Sequence, residues 1–177
     1  MLYLVIAALV VAADQLTKAL ARGGLEGLGE ITTIPGVLHL SLSRNYGASL
    51  GMLGGQRWLL AVLSAAAAVL IVYLIVRKKM SSRLEYLGLA FVLGGAVGNL
   101  IDRVAAGYVT DMIIFPWIGK IPLMPDFICN VADIFITFGA VIFVAAYLVC
   151  ELRREHAAKT GGVSRESRET GDAEEDS

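Results

Sequence analysis

The chain has 177 residues, 56% of them hydrophobic and 18% charged, with a formal net charge of −1 and a mean hydropathy of +0.69. That balance belongs to a polytopic membrane protein rather than a soluble domain, and the missing basic excess excludes nucleic acid as a partner. Two cysteines, Cys129 and Cys150, are too few for a disulfide framework and read as small apolar fillers, and two distant histidines, His39 and His156, offer no zinc-ligand spacing.

The first apolar stretch runs from Met1 to about Ala21, interrupted by Asp14 to Lys18. It approaches the roughly 20 residues that cross about 30 Å of hydrocarbon. Ala12-Ala13 before Asp14 imitates a secretory cleavage site. The start lacks a positive region, however, and the polar residues continue at helical spacing, so a retained helix is expected. In the loop 23–56, leucines alternate with smaller or polar residues through Val37-Leu38-His39-Leu40-Ser41-Leu42-Ser43. A period of two with one apolar face predicts strands outside the membrane, resting on lipid or on the helix bundle. The segment from Asn45 to Gly51 then reads as a turn toward a second apolar stretch, Trp58–Val76.

A third stretch, about Leu84 to Ile101, carries Gly88, Gly94, Gly95 and Gly98, residues that let membrane helices approach closely. The loop that follows, about 103–130, holds a β-prone run (Tyr108-Val109-Thr110 and Met112 to Phe115) and then a stretch broken by Pro116, Gly119, Pro122 and Pro125. The fourth apolar stretch is Val131–Val149. Beyond about Lys159 the chain is polar and charged, which predicts a disordered tail. The expected division is a membrane-embedded unit over residues 1–155 and a tail over 156–177. Arg77, Lys78, Lys79 and Arg83 between helices two and three, and Arg153, Arg154 and Lys159 after helix four, predict that both termini are cytoplasmic. Lys18, Arg22, Arg44 and Arg57 fall on the outer side and are expected to serve a site or lipid headgroups. The predicted fold class is an all-α membrane protein: four transmembrane helices with a small extracytoplasmic β-rich element.

Two carboxyl groups stand in apolar settings: Asp111, within Tyr108 to Ile113, and Asp133, at the head of the fourth stretch. A carboxylate at mid-bilayer costs about 2.5–3.5 kcal/mol by insertion scales, so a chain that keeps two has a use for them. Brought together, two carboxyls share one proton near neutral pH, leaving one to activate water and one to donate a proton. Asn130-Val131-Ala132-Asp133 equally fits a helix start, with Asn130 as cap and an acid three residues on. Asp126, after a proline, reads as a turn residue. Asp14 and Lys18, four apart with the acid first, read either as a self-neutralising helix-end pair at the interface or as the anchor of a loop at a site's mouth. Asn99 and Arg103 share a helix face; on spacing alone Arg103 snorkels to headgroup phosphate, with Asp102 as its partner. A proton-coupled transporter also accounts for buried acids, but not for two large outer loops or for acids at helix ends. A structural scaffold needs no acid pair.

Five segments occur together and in order: Asp14-Gln15-Leu16-Thr17-Lys18, Asn45-Tyr46-Gly47-Ala48-Ser49-Leu50-Gly51, Gly94-Gly95-Ala96-Val97-Gly98-Asn99-Leu100-Ile101-Asp102-Arg103, Gly107-Tyr108-Val109-Thr110-Asp111 and Asn130-Val131-Ala132-Asp133. Through them the chain, from Met1 to about Leu152, resembles the lipoprotein signal peptidases, or signal peptidase II. The resemblance implies catalytic aspartates at Asp111 and Asp133, with Asp14, Lys18, Asn45, Asn99, Arg103 and Asn130 as supporting or substrate-binding residues. It implies an aspartic endopeptidase of the bacterial inner membrane with its site near the outer face. The implied substrate is a diacylglyceryl-modified prolipoprotein, cut just before the lipidated Cys. Membrane lipid is the surrounding partner, a monomer is expected, and neither metal nor other cofactor is needed because paired carboxyls make both proton transfers. Asn45 and Arg103 are expected to hold substrate backbone or oxyanion, and Asn130 to orient Asp133. Leu50, Met112 and Cys129 depart from the family pattern, where Phe is usual or common; all three are apolar exchanges that bear on substrate fit.

Overall fold

The structure, a computed structural model, describes residues 1–47, 55–118 and 127–175, with side chains as far as 156. Four helices carry the chain: α1 (Leu2–Gly24), α2 (Arg57–Val76), α3 (Arg83–Ala105) and α4 (Val131–Glu175). Each has a part long and apolar enough to cross a membrane, that of α4 being Val131–His156. The helices thus begin and end within a few residues of the apolar stretches, except that α4 continues to Glu175 through the stretch for which composition predicts disorder. The Glu and Arg residues there favour helix, although they supply no apolar face.

The bundle is built around α3, half of whose apolar part is buried and which packs on α1, α2 and α4. Its glycines are the reason. A Cβ at Gly88 would sit 2.6 Å from the Gly139 carbonyl of α4, one at Gly94 would sit 2.5 Å from Val10 of α1, and one at Gly95 would sit 2.5 Å from the Ala132 carbonyl. Backbone contacts this close supply the dispersion that holds helices together where no water remains to be excluded. The outward residues, such as Leu9, Val69 and Phe138, are large, apolar and exposed, as a lipid-facing surface requires.

The two outer segments meet in one antiparallel sheet of order β1 (Ile31–Ile34), β2 (Leu38–Asn45), β3 (Val109–Ile114) and β4 (Ile128–Cys129). The leucine alternation marks β2, whose Leu40 faces α1 across an apolar cavity shared with Leu20 and Ala21; that face rests on the bundle. The turn from α3 into β3 passes through Gly107, with φ of +85° and its N–H on the Asp102 carbonyl. Only glycine adopts that conformation without strain. This turn folds β3 back along the end of α3, pairs Asp111 with Ser43, and so carries Asp111 to the mouth of the bundle.

Candidate active site

Asp133 occupies the third position of α4, and the capping pattern is realised. Asn130 Oδ1 accepts from the Asp133 N–H at 3.0 Å, while Asp133 Oδ2 accepts from the Asn130 N–H at 3.2 Å. The cap does not exhaust either residue. Asn130 Nδ2 donates to Asp111 Oδ1 at 2.6 Å, and Asn99 Nδ2 donates to Asp133 Oδ1 at 2.8 Å. Asn45 Nδ2 donates to the remaining Asp111 oxygen at 2.9 Å, its own Oδ1 accepting from the Gly47 N–H. The two carboxyls, 22 positions apart in the sequence, are therefore tied through one asparagine, and all four of their oxygens accept from N–H groups.

The Asp111 side chain is buried, and its pKa is pushed up to about 6. Burial is the main cause; the Asn45 hydrogen bond works against it, the Asp133 charge adds to it, and Asn130 and Lys18 oppose it. The neighbouring Cys129 thiol is pushed up to about 12, by burial first and then by the charges of Asp133 and Asp111. It stays protonated at neutral pH and is no nucleophile, in keeping with its reading as a filler.

Beneath the dyad lies a polar cluster, and here the structure corrects two expectations. Asp14 and Lys18 are not an interfacial pair; both are fully buried, 2.9 Å apart. Lys18 Nζ also donates to Asn99 Oδ1 at 2.8 Å and lies 3.5 Å from Asp102, while Asp14 Oδ1 accepts from the Ala132 N–H of α4 at 2.9 Å. Asp102, expected beside Arg103, instead accepts from the Thr110 N–H at 2.8 Å and faces Lys18 and Arg22. The cause is the sharp turn at Gly107, which brings β3 onto the inner side of α3. Arg22 completes the cluster by donating to Thr110 Oγ1 at 2.7 Å, so two acids face two bases with no net charge. Gln15 adds bonds to Asp14 and to the Gly98 carbonyl. Gln15 and Thr110 carry no assigned role in the sequence reading, and Arg22 is expected there only to serve a site or lipid headgroups, yet Asp14, Lys18 and Arg22 recur every four residues, a stripe that marks the helix face turned to this cluster.

A cavity of about 390 Å³ opens at Asp133, with Asn99, Arg103, Asn45, Ser64 and Thr137 completing its polar lining and Leu63, Ala67, Ala96, Val109 and Ile136 among its apolar walls. Arg103 does not reach outward to headgroups. It lies on the cavity wall, with Nη2 3.4 Å from the Gly47 carbonyl. Asn45 is engaged with Asp111, so it positions that acid rather than standing free to hold substrate. Asp126 and Leu50 lie outside the described residues. No group of three or more metal-ligating side chains occurs among the described residues.

A four-helix membrane protein whose sheet and helix ends tie two carboxyls together, one of them on the wall of a cavity, has the architecture of a membrane enzyme. Its fold is similar to that of a bacterial membrane enzyme solved by the in meso method at 2.3 Å, with a TM-score of 0.74 at 29% identity over 82% of this chain and 87% of that one. The sequence profile of signal peptidase (SPase) II matches residues 6–149. Two lipoprotein signal peptidases are similar along most of their length. That of Ectopseudomonas mendocina is 35% identical over 89% of this chain and 94% of its own; that of Brevibacillus brevis is 42% identical over 81% and 93%. The chain belongs to the signal peptidase II family and is a peptidase.

Proposed function

We propose that this protein removes the signal peptide from diacylglyceryl-modified bacterial prolipoproteins, cutting the bond just before the lipidated Cys by an aspartic mechanism. The observation that carries this reading is the Asn130 side chain, which accepts from the Asp133 backbone and donates to the Asp111 carboxyl. A water between the acids gives its proton to whichever carboxyl is ionised and attacks the scissile carbonyl. The protonated partner polarises the carbonyl oxygen and then supplies the leaving amine. The pair titrates as a unit. Arg103, on the cavity wall, stabilises the developing oxyanion, while Asn45, Asn99 and Asn130 hold the carboxyls.

The substrate arrives within the membrane. The cavity is walled by α2 on one side and α4 on the other, so a signal helix approaching between them meets the dyad at its end. This proposal places the protein in the inner membrane as a monomer, with both termini cytoplasmic and the dyad near the outer face. The peptidase unit then spans residues 1–155, and the polar stretch 156–177 is a cytoplasmic extension. Acids gathered at helix ends beneath a sheet favour this reading over the transporter alternative, which calls for carboxylates at mid-helix.

The test is release of signal peptide from a purified diacylglyceryl-modified prolipoprotein. Asp111→Asn and Asp133→Asn each lose cleavage by about 10²–10⁴-fold while still inserting and folding, and Asp126→Asn stays near wild type. Loss with Asp126→Asn and retention with Asp111→Asn overturns the assignment.

A further inference from the structure

At the end of the bundle away from the aspartates, α3 and α4 part. They touch backbone to backbone at Gly88 and Gly139. Toward the start of α3 the small side chains of Ala145 and Ala146 leave a recess of about 400 Å³ against Leu84, with Ser82 and Arg153 also lining it. This end of the recess is tied across by Arg154, which donates to Ser81 Oγ at 2.6 Å and lies 3.6 Å from Glu151. Those bonds occupy Arg154 and Glu151 and leave Arg153, exposed, without an anionic partner among the described residues. Ser82 Oγ accepts from the Glu85 N–H, and its own proton remains available. The Glu85 carboxyl is turned inward, with Oε2 on the Ser81 N–H and Oε1 buried and without a partner among the described residues. Lys78 and Lys79 in the adjoining turn and Arg83 at the start of α3 are all exposed.

We propose that this recess binds an anionic phospholipid. One acyl chain lies along Ala145 and Ala146, and the phosphate takes charge-assisted hydrogen bonds from Arg153 and the Ser82 hydroxyl. The complementarity decides the headgroup. The recess is apolar along most of its length, and among the described residues the charged group lining it is the cation Arg153, backed by Lys78, Lys79 and Arg83 nearby, so a lipid of net negative charge is favoured over a zwitterionic one. Basic pockets between membrane helices act in this way. On the proposed topology this end lies in the cytoplasmic leaflet. The site stands apart from the peptidase reading, and neither depends on the other.

The test is native mass spectrometry of the full-length protein, delipidated in detergent and titrated with phosphatidylglycerol or with phosphatidylcholine of the same chains. Wild type retains phosphatidylglycerol over phosphatidylcholine by about five-fold, the increment of one cation near a lipid phosphate. Arg153→Gln abolishes that preference, and Ala145→Phe fills the recess and loses both lipids. A thermal midpoint and a monodisperse elution in detergent at wild-type values certify that the variants are folded. Equal retention of the two lipids by wild type overturns the proposal. So does undiminished phosphatidylglycerol binding by Arg153→Gln and Ala145→Phe, or its displacement by inorganic phosphate alone.

Discussion

Asn130 does two things that no carboxylate can do together: its side chain accepts from the Asp133 N–H and donates to Asp111. Aspartate is as good a helix cap as asparagine but has no N–H to offer. Asn130→Asp is therefore expected to keep the thermal midpoint close to wild type while cleavage falls by at least about 10²-fold, the scale of a misplaced reacting group. A parallel fall in both would reduce Asn130 to a cap. The pH response turns on Asp111, whose usual pKa of 3.8 is raised to about 6. An acid whose folded pKa exceeds its unfolded value holds more protons when folded, so this group's contribution to stability is fully present below about pH 4 and is lost as pH rises through 6. On the proposed mechanism the pair loses its shared proton as a unit, and Asp111 contributes to the basic limb of kcat/KM. Because the Asn45 hydrogen bond holds that pKa down, Asn45→Ala should move the basic limb to higher pH. A profile scaled down without moving would mean that Asn45 acts only on folding.

At the scale of elements, the glycines of α3 set how near α1 and α4 come to it, and with them the proposed catalytic groups. A Cβ at Gly98 would lie 2.5 Å from Asp14 Oδ2, the oxygen that faces Lys18, and the displaced carboxylate carries the Ala132 N–H of α4 on its other oxygen. Gly98→Ala is expected to cost about 1–3 kcal/mol of stability, as overpacking does, and to depress cleavage. Gly23→Ala, where nothing lies within 4 Å, should do neither, and unfolding in detergent beside the peptidase assay checks both. Elements were also where the sequence was most legible. Helices follow from apolar length, β2 from its period of two, and Asp111 and Asp133 from charge in apolar surroundings. The cluster under the dyad was not legible, because spacing within α1 cannot reveal whether Asp14 and Lys18 face water or another helix. Their partners, Asn99, Asp102 and Ala132, lie more than 80 positions away. Asp102 was paired with its neighbour Arg103 for the same reason: a local rule cannot anticipate that β3 turns back at Gly107.

For the whole molecule, the charge asymmetry predicts an orientation that labelling can check. In a Cys150→Ser background, a thiol probe at Lys79→Cys should be reached only from the cytoplasmic side and one at Val37→Cys only from the outer side; labelling of both from one side would reverse or break the four-span arrangement. The bond between Asp14 and the Ala132 N–H spans 118 positions, and it has a consequence in time. A ribosome delivers α1 first and α4 last, so a nascent chain that ends before α4 holds Asp111 but lacks Asp133, Asn130 and the backbone donor that Asp14 awaits. On the proposed mechanism the hydrolase is therefore unarmed throughout its own insertion, and it becomes active only when its final helix is in place.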